Sequence, residues 1–145
     1  MLMGEYHHNI DDKGRLTIPS KFREDLGDKF VITRGLENCL FAYSEADFQK
    51  IVAELQKIPF TKKDARQFMR FFLSGATTVE FDKQGRVNLQ APLISYAGLQ
   101  KECVIIGTGD RLEIWSNDNW NDFFNSTKDN MSDIAEGLFT TNIDI

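Results

Sequence analysis

The chain has 145 residues, 41% hydrophobic and 27% charged, with a formal net charge of −5. That is the composition of one soluble globular domain, or of two half-domains sharing a core. No apolar run approaches the roughly 18 residues of a membrane-spanning helix, and "MLMGEYHHNI" lacks the basic start and apolar stretch of a secretory signal. Cys39 and Cys103 stand far apart and read as buried free thiols of a reducing cytosol rather than a disulfide or metal pair.

The net charge argues against a nucleic-acid partner only until its distribution is read. Residues 110–145 hold eight acids (Asp110, Glu113, Asp118, Asp122, Asp129, Asp133, Glu136, Asp144) against Arg111 and Lys128. The rest of the chain has 15 basic and 14 acidic residues. The acid reads as a solvated helix face at one end, which leaves a basic patch elsewhere free to meet phosphate.

In chain order, "GEYHHNI" alternates as a strand. In "DDKGR", Asp11 can bond the backbone two residues on and Gly14 can take a positive φ, so the turn closes a hairpin onto "RLTI". Pro19 presets a helix start, and "SKFREDLG" gives about two turns ending at Gly27. "KFVITRG" and "CLFAY" read as strands, and Ser44 as the N-cap of a helix over 45–57. Phe48, Ile51, Val52 and Leu55 line one face of that helix, and Pro59 stops it. Residues 61–75 form a connecting helix with four bases against one acid and with Phe68, Phe71 and Phe72 at helical spacing.

The pattern then restarts. Asp82, Gly85, Arg86, Val87, Leu89 and Gly98 stand 71 positions after Asp11, Gly14, Arg15, Leu16, Ile18 and Gly27. After a slip of one residue, "CVIIG" and "LEIWS" follow "VITRG" and "LFAYS", and Trp120 follows Phe48. Ser116 is the second N-cap, before a helix with Trp120, Phe123, Phe124 and Met131 on one side. The chain is an internal duplication: residues 1–60, a connecting helix at 61–75, and residues 76–145 with an acidic C-terminal helix. One unit is too small to bury its own sheet faces. Two units pair pseudo-symmetrically into an interleaved, mainly β domain with helices at its edges, an α+β fold. Trp120 and Phe123 are expected to stay exposed and to drive association beyond a dimer.

Catalytic chemistry finds little support. His7 and His8 are strand neighbours pointing to opposite faces, so they share no metal or substrate. There is no Gly-x-Ser-x-Gly, Cys/His pairing or Walker-type loop, and "GTG" at 107–109 lacks the context of a dinucleotide fingerprint. Asp11 and Asp82 read as turn formers rather than a catalytic pair. The conspicuous feature is basic: Lys13, Arg15, Lys21 and Arg23 fall within eleven positions holding no acid. Arg presents a planar fork suited to phosphate or to the O6/N7 edge of guanine. The same Asp-x-x-Gly-Arg pattern also suits an Asp–Arg salt link closing a hairpin, and both readings stand at this level.

The stretches "GEYHHNIDDKGRLTIPSKFRE", "VITRGLENCLFAYSEADF", "ARQFMRFFLSGATTVEFDKQGRV", "YAGL" and "VIIGTGDRLEIWSNDNW" resemble the MraZ family, related to the AbrB-type swapped-hairpin DNA binders. They cover most of residues 4 to 120. The resemblance implies a pseudo-twofold swapped-hairpin β-barrel with edge helices. It also implies a cytoplasmic, nucleoid-associated repressor of its own division and cell-wall gene cluster. Its partners would be double-stranded DNA carrying short direct repeats with consecutive guanines, and further copies of itself in a ring. No cofactor, metal, membrane or small-molecule substrate is implied. The paired Asp-x-x-x-Arg motifs fall on Asp11 with Arg15 and on Asp82 with Arg86. Lys13, Arg15, Lys21, Arg23, Lys83 and Arg86 are the expected DNA contacts, and Asp11, Gly14, Asp82 and Gly85 shape the loops. The second unit departs from the pattern, with Gln90 where Pro19 stands in the first, Ile94 where Arg23 stands, and no charge between Arg86 and Lys101. The first unit is therefore expected to dominate. The rival reading is an antitoxin-like or scaffolding module whose hairpins only dimerise.

Overall fold

The computed structural model describes residues 1–140; Asp144 and the rest of 141–145 lie outside the described residues. The first half runs β1 (Leu2–Asn9), β2 (Arg15–Thr17), a 3-10 turn (Ser20–Phe22) continuing into α1 (Arg23–Leu26), β3 (Lys29–Arg34), β4 (Leu40–Ser44), α2 (Glu45–Gln56) and α3 (Lys63–Ser74). The second runs β5 (Thr77–Glu80), β6 (Arg86–Asn88), α4 (Ala91–Ala97), β7 (Glu102–Gly109), β8 (Leu112–Ser116), α5 (Asn117–Thr127), a 3-10 turn (Lys128–Asn130) and α6 (Met131–Phe139).

Six strands form an antiparallel sheet in the order β1-β7-β8-β4-β3-β5, and β2 pairs with β6 in a separate ribbon. Exchange the two halves and the order reads the same backwards, so the sheet is pseudo-twofold. The expected hairpins are swapped. β1 pairs with β7 from Leu2↔Gly109 to Asn9↔Glu102, and β5 pairs with β3, so each half's first strand lies on the other half's sheet. The Asp11 turn closes only the Ile10↔Leu16 pair beyond itself. These turns lead β1 into β2 and β5 into β6, and the strands thus curl into a swapped-hairpin barrel with no continuous ladder joining ribbon to sheet.

The swap follows from burial. The inner layer holds Phe30, Ile32, Leu40, Leu112, Ile114 and Ile105 from the sheet, Leu16 and Val87 from the ribbon, and Phe22, Leu26 and Leu93 from the short helices, drawn from both repeats. A buried phenylalanine such as Phe22 stabilises by about 3–5 kcal/mol against truncation. The opposite face of the sheet carries Phe41, Tyr43, Val104, Ile106 and Trp115, covered by Phe48, Ile51 and Leu55 of α2, Phe68 and Phe72 of α3, and Trp120 and Phe123 of α5. Both faces being covered, β4 and β8 read as unbroken buried runs. Ser44 and Ser116 cap α2 and α5, their hydroxyls accepting from the N–H groups of Asp47 and Asn119 at 3.1 and 3.0 Å.

Three expectations are corrected here. Trp120 and Phe123 are half-buried against Trp115, at ring separations of 5.5 and 5.3 Å, so they do not supply the exposed aromatic surface. The exposed apolar side chains instead include Ile58, Phe60, Phe124, Met131 and Ile134, and Met131 opens a separate helix after the 3-10 turn. Glu113 is not part of a solvated acidic face. It is buried on β8, ion-paired with Arg111 at 2.8 Å, and accepts the indole N–H of Trp115. The "GTG" glycines serve the backbone: a Cβ on Gly107 would sit 2.3 Å from the backbone nitrogen of Met3, and Gly109 has a φ of +100°. Cys39 and Cys103 are free and buried, and burial pushes the Cys103 thiol up to about 11.

Candidate nucleic-acid interface

In the β2–β6 ribbon Arg15 stands opposite Asn88, Leu16 opposite Val87 and Thr17 opposite Arg86. Alternation sends Leu16 and Val87, 0% and 1% exposed, into the core. Arg15, Thr17, Arg86 and Asn88 are left together on the outer face. The two arginines come from different repeats and lie diagonally across one ladder, about 7–8 Å apart at the backbone. The duplication therefore places its two signature arginines on one small platform.

Each arginine is aimed by its aspartate. Arg15 Nε donates to Asp11 Oδ2 at 2.6 Å, and Arg86 Nε donates to Asp82 Oδ2 at 2.9 Å. The other carboxylate oxygen, Oδ1, closes the turn by accepting the backbone N–H groups of Lys13 and Arg15 in the first loop and of Gln84 and Arg86 in the second. Both carboxyls are held below the ordinary aspartate value. The backbone N–H of Arg15 or Arg86 is the largest cause, and the guanidinium adds to it. Arg86 also approaches Asp11, 3.8 Å from Oδ2, which links the loops. The salt link to each arginine's own aspartate uses Nε; in Arg15 it leaves both terminal nitrogens outside it, whereas Nη1 of Arg86 also faces Asp11, and the two side chains are 34% and 26% exposed. Gly14 and Gly85 have φ of +78° and +75°, a region L side chains rarely adopt.

Lys13 and Lys83 are exposed on the two turns. Lys21 and Arg23 do not join Arg15 in a first-unit patch. Lys21 hydrogen-bonds the hydroxyl of Tyr6 on β1 and lies over its ring. Arg23 pairs with Asp28 at 3.0 Å and lies over Phe81, 4.8 Å from the ring centre. Ile18 N–H donates to Gly85 O, so the basic helix of the first repeat stands beside the second repeat's turn. The exchange is reciprocal. α4 approaches the first turn: Leu89 N–H donates to Gly14 O, and Ile94 Cδ1 lies 3.3 Å from where a Gly14 Cβ would be. Lys101 joins Asp11, Gly14 and Ile94 around a cleft of about 650 Å³ and is exposed there.

Thr17, Asn88 and Lys101 were not singled out from the sequence. The signal for the first two was present, since Asn88 alternates with Val87 and Leu89, as Thr17 does with Leu16 and Ile18. Lys101 had none, because only the swap brings it to the first loop.

A duplicated swapped-hairpin domain with paired, aspartate-buttressed arginines on one ribbon presents a charged recognition surface, the kind of site a binding protein carries. The family model described as "MraZ protein, putative antitoxin-like" matches twice, over residues 1–71 and 72–142. The chain belongs to the MraZ family of transcriptional regulators. It is 57% identical over 138 residues, 95% of this chain and 96% of the relative, to proteins named transcriptional regulator MraZ from Lactobacillus gasseri and Lactobacillus johnsonii. The identity is 54% over the same coverage to the protein of that name from Ligilactobacillus salivarius.

Proposed function

We propose that the chain is a sequence-specific DNA-binding repressor, in which the β2–β6 ribbon enters the major groove and Arg15 and Arg86 read guanines. The observation that carries this reading is the shared outer face of the two arginines, each from one repeat and each held by its own aspartate. A two-stranded ribbon fits the major groove, and the Arg fork matches guanine O6 and N7. Lys13 and Lys101 flank one end of the ribbon; Lys83, Lys21 and Arg23 flank the other, as phosphate contacts that set register.

One ribbon makes few contacts, so affinity per chain is modest. Several copies in a ring-like homo-oligomer, engaging tandem direct repeats in the promoter of the chain's own division and cell-wall cluster, raise it through effective concentration. The exposed Ile58, Phe60, Phe124, Met131 and Ile134 support self-association. In this reading the two halves, with the 61–75 helix between them, act as one cytoplasmic, nucleoid-associated unit. The test is a gel shift with the chain's own upstream DNA, with and without its repeats, at several salt concentrations. Binding should require the repeats and fall steeply with salt through counterion release. A protein-docking module, the antitoxin-like alternative, would show neither.

A further inference from the structure

The ribbon's twofold is kept at the arginines and broken beside them. Arg15 and Arg86 are equivalent, but their ladder partners are Asn88 and Thr17. Asn88 is exposed, its amide makes no hydrogen bond among the described residues, and its Oδ1 lies 3.4 Å from where a Gly14 Cβ would stand, over the first loop. Opposite residues on a ladder have Cβ atoms about 4.5–5.5 Å apart. One base step rises about 3.4 Å along a strand. Arg15 and Asn88 are therefore close enough for their long side chains to reach neighbouring base pairs.

We infer that Asn88 is a specificity-determining residue that reads an adenine adjacent to the guanine read by Arg15, and so gives the DNA site a direction. This rests on the DNA-binding reading. Asn pairs with N6 and N7 of adenine in two places, as Arg pairs with O6 and N7 of guanine. Thr17, at the mirrored place beside Arg86, lacks that pair of groups and offers a methyl to a thymine. A symmetric ribbon would read an inverted repeat. A ribbon with Asn at one end and Thr at the other reads a directional site, and directional sites in tandem all point the same way.

The experiment is selection from a random duplex library by the full-length chain, by Asn88→Thr and by Thr17→Asn, with circular dichroism to confirm the fold. The unaltered chain should enrich a directional site with an adenine beside a guanine. Asn88→Thr should lose discrimination at that single base pair by roughly ten- to a hundredfold while keeping the guanines. Thr17→Asn should add an adenine preference at the mirrored position, and it keeps the inference testable should Asn88→Thr not fold. The same directional site with undiminished discrimination in Asn88→Thr, or no new preference in Thr17→Asn, overturns the inference and leaves DNA binding standing. No enriched sequence for the unaltered chain overturns the DNA-binding reading and this inference with it.

Discussion

Arg23 lies over the ring of Phe81, its guanidinium carbon 4.8 Å from the ring centre, so the first repeat's basic helix serves the second repeat's turn. Strand exchange has redistributed the charge that looks concentrated in one unit. The consequence is measurable as coupling. In a double-mutant cycle on DNA affinity, Arg23→Ala should be non-additive with Arg86→Ala and additive with Arg15→Ala, since residues sharing a local surface couple and distant ones do not. Removing Lys21 and Arg23 together should flatten the slope of log affinity against log salt by up to about two per engaged chain. Coupling of Arg23 to Arg15 instead would contradict the swapped arrangement.

Arg15→Ala and Arg86→Ala should weaken specific binding comparably, by about 1–3 kcal/mol per copy, because both arginines stand on one ribbon face and the Nε of each is held by its own loop's aspartate. Folding stability should change by about 1 kcal/mol for either, as the salt links are only about a third exposed and still screened by solvent. Titration against operator and scrambled duplexes, with urea unfolding of both variants, measures the two effects. A loss confined to Arg15→Ala would instead bear out first-unit dominance.

The place of Arg23 shows where sequence reading stopped. Duplication, turn chemistry and the Ser44 and Ser116 caps were all legible, because each depends on residues a few positions apart. Which strand pairs with which was not legible from the residues alone, since β1 satisfies its alternation equally well against β2 or β7; only the family resemblance implied the swap. Everything downstream of the partner choice was lost with it: the place of Arg23 beside Phe81, of Ile94 beside Gly14, and of Lys101 beside the first loop. Trp120 misled for a similar reason, because the surface it covers, Trp115, lies on another element. Glu113 read as one more acid although its partners Arg111 and Trp115 stand two positions away, because that spacing signals a buried pair only once the strand is known to be covered on both faces.

The two loop glycines should differ although their φ values match. A Cβ on Gly14 would sit 2.7 Å from the carbonyl oxygen of Leu89, whereas one on Gly85 meets nothing within 4 Å. Gly85→Ala should therefore cost only the left-handed penalty, about 1–2 kcal/mol. Gly14→Ala should cost more, because backbone of β6's continuation must shift. Urea midpoints of the two variants give the comparison, and equal losses would mean that the first loop is not clamped by Leu89.

His7 supplies a pH dependence at the β1–β7 edge. Its Nε2 faces Glu5 Oε2 at 2.8 Å and its Nδ1 faces Glu102 Oε1 at 3.1 Å, so the doubly protonated ring satisfies both carboxylates. The hydrogen bond to Glu5 raises the imidazole pKa above the ordinary 6.5, and the bond to Glu102 raises it further. A raised folded value contributes stability that is fully present below the unfolded pKa and is lost as pH rises through the folded one. The ring's side chain is 42% exposed, and screening keeps the contribution under about 1 kcal/mol. Urea unfolding of the parent and of His7→Gln should thus differ at about pH 5.5 and converge at about pH 9. A gap that stays constant across that range would assign His7 to packing rather than to its two carboxylates.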